Sequence, residues 1–308
     1  MITIPTSHMM KDFIQKVCSG RLFWTILCLK IICGSLFGSD YIIKSFIPFV
    51  AFFVLHLSNP YDYFLSLNQL KIFPYSTSML ALTAIPMFLI SVFSFPYTTI
   101  TPIHLFLMRL PLLGADLIIY LILCSWLPTK ENIIKKYYWA SPVLFYISYI
   151  HGQLDVIPIA ILFISLYFLF SNNHSISAVV LGVALSAKMH IFATVPFILV
   201  YIWKQSGSLL NPIKFGLKSL FTCIALLSPF IFSRGYQELV LKASEQTHIF
   251  ALSIDIAQST IYIAPIAILL LFFKYASYTK INNDALIMSL GLLFSLLIIL
   301  VPPMPGWF

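Results

Sequence analysis

Charge is what this 308-residue chain has least of. Asp, Glu, Lys and Arg together make up 9% of it, against 60% hydrophobic residues, and its mean hydropathy is +0.96. Soluble globular domains carry about 25% charged residues, so a surface that faces water throughout is excluded. Cysteine is scarce as well. Cys18, Cys28, Cys33, Cys124 and Cys223 fall mostly in apolar stretches, which argues against a disulfide framework or a cysteine metal site. There is no glycine-rich nucleotide loop, no HExxH and no GxSxG, so the usual signatures of phosphate-loop, zincin and serine-hydrolase chemistry are missing. No small-residue cleavage site follows a short apolar core near the start, so the first apolar run reads as a retained span. A soluble domain, a linker and low-complexity tracts are also lacking.

What is present is a series of long apolar runs. A helical span needs about 20 mostly apolar residues, fewer where the protein encloses a wet cavity. Runs at 22–38, 105–127, 139–150, 156–170, 178–188, 190–203, 219–233, 258–273 and 285–302 meet that description. The expected fold is all-α: a polytopic transmembrane bundle of about nine spans, with external juxtamembrane helices, forming one integral membrane domain over 1–308. The apolar stretch 78–95 decides the topology. If it does not cross, the loops 1–21, 128–138, 204–218 and 274–283 lie on one side and hold eleven of the lysines and arginines, against four on the other side. If it crosses, the bias reverses. Cytoplasmic loops collect Lys and Arg, so 39–104 is expected to be an external segment, with the N-terminus cytoplasmic. The net charge of +8 is then a topological signal and not a sign of a nucleic-acid partner.

Ionisable groups in or near a membrane are costly, which makes each a functional candidate. Asp40 closes the first span in FGSDYIIKSF, where a carboxylate can take a proton from a hydroxyl or hold a divalent metal. The turn YIHGQLDVIP places His151, Gln153 and Asp155 at the outer face. In SAKMHIF, Lys188 and His190 interrupt an apolar stretch whose two ends both belong inside, so the chain is expected to turn there and present both residues outside. Arg109, near the outer end of 105–127, is a further cation for a phosphate. Lys30 and Asp116, at similar depth in their spans, are expected to form a structural ion pair. Asp62 and Lys71 read as solvated.

The order of these features resembles the C-type membrane glycosyltransferases (GT-C), including mannosyltransferase-like bacterial members. A first span ends at Ser39-Asp40-Tyr41, a long outer loop follows, then RLPLLGAD (109–116), a basic inner loop, an outer GQLD turn and a GVALSAK helix ending in Lys188. The resemblance implies an inverting transferase that moves a sugar from a polyprenyl-phosphate-linked donor to a glycan or glycolipid acceptor on the non-cytoplasmic face of a bacterial inner membrane. It implies that Asp40 is the base or acceptor-positioning group, and that Asp155 and Lys188 bind substrate. The Asp-x-Asp or Glu-x-Asp metal pair of the family is absent around Asp40, which leaves a divalent cofactor without a clear ligand set. The ending VPPMPGWF stands where similar proteins continue, and suggests a shortened or minimal member. Two other classes compete: a carrier or flippase for a lipid-linked oligosaccharide, and a non-catalytic subunit of a glycan assembly complex. A carrier is expected to show repeat symmetry between halves, and none is visible.

Overall fold

The computed structural model describes residues 7–92, 99–256 and 259–301, so the ending at 302–308 lies outside the described residues. Helices run over Ser7–Val17 (α1), Arg21–Leu36 (α2), Ile47–His56 (α3), Pro60–Ser66 (α4), Thr77–Val92 (α5) and Pro102–Trp126 (α6). Val156–Phe170 (α7), His174–Leu185 (α8), Val195–Ser206 (α9), Leu210–Leu227 (α10), Ile263–Ala276 (α11) and Asn283–Leu300 (α12) complete the bundle. The protein is mostly helical. One departure from an all-α fold is the antiparallel hairpin Ser253–Ile256 (β1) with Ser259–Tyr262 (β2), paired from Ser253↔Tyr262 to Ile256↔Ser259. Alternating β-branched residues in SIDI and STIY favour extended chain, and α11 therefore starts at Ile263, later than the run at 258–273 suggests.

Helix ends follow local chemistry. Asn59 accepts from the Tyr61 and Asp62 amides ahead of Pro60, and Thr101 forms a reciprocal cap with His104 ahead of Pro102. Asn173 and Asn282 cap α8 and α12. Side-chain oxygens at these positions satisfy amides that lack an intrahelical partner.

Three helices, α6, α10 and α12, are long and apolar enough to cross a membrane singly. A fourth span arises if α2 and the Tyr41–His56 helix, bent by 60°, are taken together. The other expected runs are helical but short. α7, α8 and α9 have 15, 12 and 12 residues, or about 18–22 Å at 1.5 Å per residue, below a hydrocarbon thickness of about 30 Å.

The segment after α2 is not a loose interfacial loop. Ile42, Ile47, Phe49 and Val50 are fully buried, and Phe49 stacks on Phe73 (4.7 Å) and meets Tyr61 edge-on (5.0 Å). Burying each large apolar side chain contributes about 1.5–3 kcal/mol, so this aromatic layer holds 41–76 together, and Tyr61 ties it to Phe230 and Tyr236. Asp62, read as solvated from sequence, is structural: it accepts from the Gly235 amide (2.6 Å) and from Asn59 (2.7 Å). Gly235 allows this because a Cβ there would lie 2.2 Å from the Tyr61 carbonyl carbon.

The expected Lys30–Asp116 pair is present at 2.7 Å, with both side chains buried. Asp116 also accepts from the Tyr149 hydroxyl (2.7 Å), and Lys30 lies 3.5 Å from the Trp139 ring centre. Removing one partner of a buried pair leaves an uncompensated charge and costs roughly 3–5 kcal/mol. Lys30→Met or Asp116→Leu alone should therefore lower the yield of folded protein in detergent. The double variant should recover only part of it, because the Tyr149 hydroxyl then loses its acceptor, at about 1–3 kcal/mol. Adding Tyr149→Phe should recover more. Equal yields for the single and double variants would show that the two charges are not coupled.

Candidate functional site

Three chain reversals meet at one end of the bundle. The first is 152–155, where Gly152 adopts a left-handed φ of +91° and α7 begins. A Cβ at Gly152 would lie 2.3 Å from the Ile42 side chain and 3.1 Å from Arg109, so glycine serves both the turn and the packing. The second reversal lies between α8 and α9. Gly182 of α8 abuts Ser219 and Thr222 of α10, while Gly216 of α10 faces Leu199 of α9. With Ser175 bonded to Lys218, α8 runs parallel to α10, and α9 runs antiparallel to it. The apolar stretch thus doubles back between Leu185 and Val195, through a short 3-10 turn at Met189–Thr194, as its polar interruption suggests. The third is 72–78, tied to the second by Ser76 N–H to the Ala187 carbonyl (3.4 Å) and by Ser78 to Ser186 (2.6 Å).

Where they meet, the Lys188 ammonium donates to the Asp155 carboxylate. Asp155 precedes α7 but does not cap it, so its oxygens are available to Lys188. Tyr75 completes the group: its hydroxyl accepts from the Leu154 amide (3.4 Å) and bonds Asp155, and its ring centre lies 5.0 Å from the Lys188 ammonium. His190 is close enough to feel both charges, and its ring packs edge-on against Phe294 of α12 (5.9 Å). Burial pushes the Asp155 carboxyl upward, but the Lys188 ammonium leads a larger opposing effect and holds it below the ordinary carboxylate value. For His190, burial first and Lys188 second lower the imidazole to about 4.

Sequence reasoning placed Asp155 in one turn and Lys188 with His190 in another, and the structure brings the two turns together. It does not bring Asp40 into contact with them. That carboxylate pairs with Lys44 at 2.9 Å, and the two side chains are 79% and 70% exposed, so the pair contributes little to stability. Arg109 is buried in α6 and donates from Nη1 to the Gly34 carbonyl (2.6 Å) and to the Phe37 carbonyl, satisfying acceptors at the end of α2. His151 lies with its ring 6.1 Å from Tyr41, the neighbour of Asp40. Gln153 bonds through its backbone N–H to Ile147 (3.0 Å) and helps to close the turn. Tyr75 was missed. Its only signal was KIFPYS, one of many aromatic stretches in the outer segment, and nothing local marks it as a partner of residue 155. Among the described residues, no three His, Cys, Asp or Glu side chains stand close enough to hold a metal ion.

No protein-family model, curated protein or solved structure matches this chain.

The site is a salt-bridged, half-buried polar group at the end of an apolar bundle. Such a group can recognise hydroxyls and anionic oxygens. Its protonation has a measurable consequence. An unfolded imidazole titrates near 6.5 and the folded one near 4, so the unfolded chain takes up the proton first as pH falls. This part of the stability is complete above about pH 6.5 and is lost between there and about pH 4. Between about pH 7 and about pH 5, stability in detergent should fall by about 2 kcal/mol from His190 alone. His190→Gln should remove that share of the slope, and an unchanged slope in the variant would rule His190 out as its source.

Proposed function

We propose that this chain is an inverting membrane glycosyltransferase, probed best with a polyprenyl-phosphate-linked sugar as donor and a glycan or glycolipid as acceptor. The reading includes about nine spans in a bacterial inner membrane, a cytoplasmic N-terminus, and a reaction on the non-cytoplasmic face. The observation that carries it is the polar group of Asp155, Lys188, Tyr75 and His190. It is built from chain reversals remote in sequence, in a molecule otherwise poor in charge. Polar groups in such surroundings are costly, which makes each a functional candidate.

Asp155 is held by Lys188 and Tyr75, whereas Asp40 is open to solvent and to an incoming hydroxyl. Asp40 is therefore the general base in this reading. It takes the proton of the acceptor hydroxyl as that oxygen attacks the anomeric carbon, and the bond from that carbon to the donor phosphate oxygen breaks. The departing polyprenyl phosphate gains negative charge, which the cations at this end, Arg109 and Lys188, stabilise. Asp155, His151, Gln153 and His190 orient the sugar.

The test is transfer of a labelled sugar from polyprenyl phosphate by the purified protein in vesicles. Asp40→Asn should fold normally and lose activity by about 10²–10⁴-fold, the usual share of general base catalysis. Lys188→Met should weaken donor use while the stem packing persists. Near wild-type transfer by a folded Asp40→Asn protein would remove the base assignment, and no transfer by the native chain with any donor sugar would remove the function. Sidedness has its own check: Lys188→Cys should label from outside the membrane and Gly207→Cys from inside. The opposite pattern would overturn the topology.

A further inference from the structure

We infer that the end of the bundle opposite the Asp155–Lys188 group carries a headgroup site for an anionic phospholipid, built on Arg21 and Lys136. α2 starts at Arg21 and leads, over 16 residues or about 24 Å at 1.5 Å per residue, to the Gly34 and Phe37 carbonyls beside Arg109. Arg21 therefore stands far from the polar group described above. Phe23, Lys30 and Gly34 form the buried face of this helix. Trp24, Cys28, Ile32 and Leu36 are exposed on the opposite face, and Arg21, one turn before Trp24, closes that stripe. An apolar stripe that ends in an indole and then a guanidinium has the polarity profile of a lipid leaflet. Tails lie along the stripe, the amphipathic ring sits at the headgroup level, and the phosphate meets the cation.

A second segment supplies the other cation. Lys135 donates to the Ser19 carbonyl (3.2 Å), and the Trp139 indole donates to the Phe23 carbonyl (3.2 Å) while its ring stacks on Phe23 (4.9 Å). Residues 135–139 thus run beside 19–23 in step, which sets Lys136 and Tyr137 next to the start of α2. Both are exposed, Tyr137 by 78%. Charge then selects the headgroup. Over 12–21 and 128–139 the chain carries five cations and two carboxylates, and Glu131 is shared by Lys16 (3.9 Å) and Lys135 (3.6 Å). Arg21, Lys130 and Lys136 have no carboxylate partner among the described ion pairs. Basic residues at a membrane surface attract anionic lipid. A soluble anion would meet these charges but leave the adjoining apolar stripe uncovered, whereas an anionic lipid answers both. The inference does not rest on the reaction proposed above, and it is tested by binding alone.

The purified full chain in non-ionic detergent is titrated with dioleoyl phosphatidylglycerol, with dioleoyl phosphatidylcholine, and with glycerol 3-phosphate, following the melting temperature. Phosphatidylglycerol should raise it saturably, and more weakly at high salt, because exposed charges are screened. Phosphatidylcholine, which lacks the net charge, and glycerol 3-phosphate, which lacks the tails, should not saturate over the same range. Arg21→Gln and Lys136→Gln should each weaken phosphatidylglycerol binding about fivefold, and the double variant about twenty-five-fold. Both side chains are exposed and outside any described ion pair, so the variants should fold. Lys242→Gln removes an exposed cation paired with Glu238 at the other end and should bind like the native chain. The inference is overturned if phosphatidylcholine or glycerol 3-phosphate binds as tightly as phosphatidylglycerol, or if no lipid binds saturably. It is equally overturned if the double variant binds like the native chain, or if Lys242→Gln weakens binding as much as Arg21→Gln does.

Discussion

A lysine and an aspartate 86 residues apart in sequence meet in the apolar interior at 2.7 Å, and much of the arrangement above them depends on that contact. Either charge alone in hydrocarbon is costly, by about 2.5–3.5 kcal/mol on insertion scales. Together they specify how α2 and α6 face one another and at what height. Arg109 stands seven residues from Asp116, and Phe37 stands seven residues from Lys30. The helices run in opposite directions, so both counts lead the same way along the bundle, and the arginine arrives level with the last carbonyls of α2. Tyr149, bonded to the same aspartate, sets the height of the 152–155 turn from a third segment.

That turn passes the constraint on to the polar group. Asp155 enters α7 with its carboxylate turned to Lys188, and the 72–78 segment is held in place by hydrogen bonds to 186–187. The charges at this end then divide. Asp155 and Lys188 neutralise each other at a half-buried position, Asp40 remains exposed beside Lys44, and Arg109 keeps its charge with two donors unused. One carboxylate is thus accessible, one ion pair is satisfied and one guanidinium keeps two buried donors without partners. In a chain with so little charge, this separation is a stronger pointer to function than any single residue.

Much of this was legible in the sequence because apolar solvent imposes strong patterns. Most of the apolar runs carry helices, although only three helices are long and apolar enough to cross a membrane singly; the reversal at 186–194 was announced by Lys188 and His190, and the depth argument paired Lys30 with Asp116. Less legible were contacts whose signal is not local. Asp62 looked solvated because its partner is a backbone amide at Gly235, and a glycine that allows close approach has no side chain to advertise it. Tyr75 was one aromatic among many. The second strand, Ser259–Tyr262, was absorbed into the apolar run at 258–273 because β-branched residues are as hydrophobic in a hairpin as in a helix.

By itself, the sequence determined the apolar character: so few charges over so many apolar residues suit helices that satisfy their own backbone hydrogen bonds, three of them long and apolar enough to cross a membrane. It also determined where the chain must turn, since Lys, His, Asp and Gly interrupt runs that otherwise favour continued helix. Only the tertiary structure decided which of the polar interruptions share a site and which charges cancel. Those outcomes depend on the relative height and rotation of packed helices. A spacing along one helix does not encode them, whereas a single buried ion pair between two helices does.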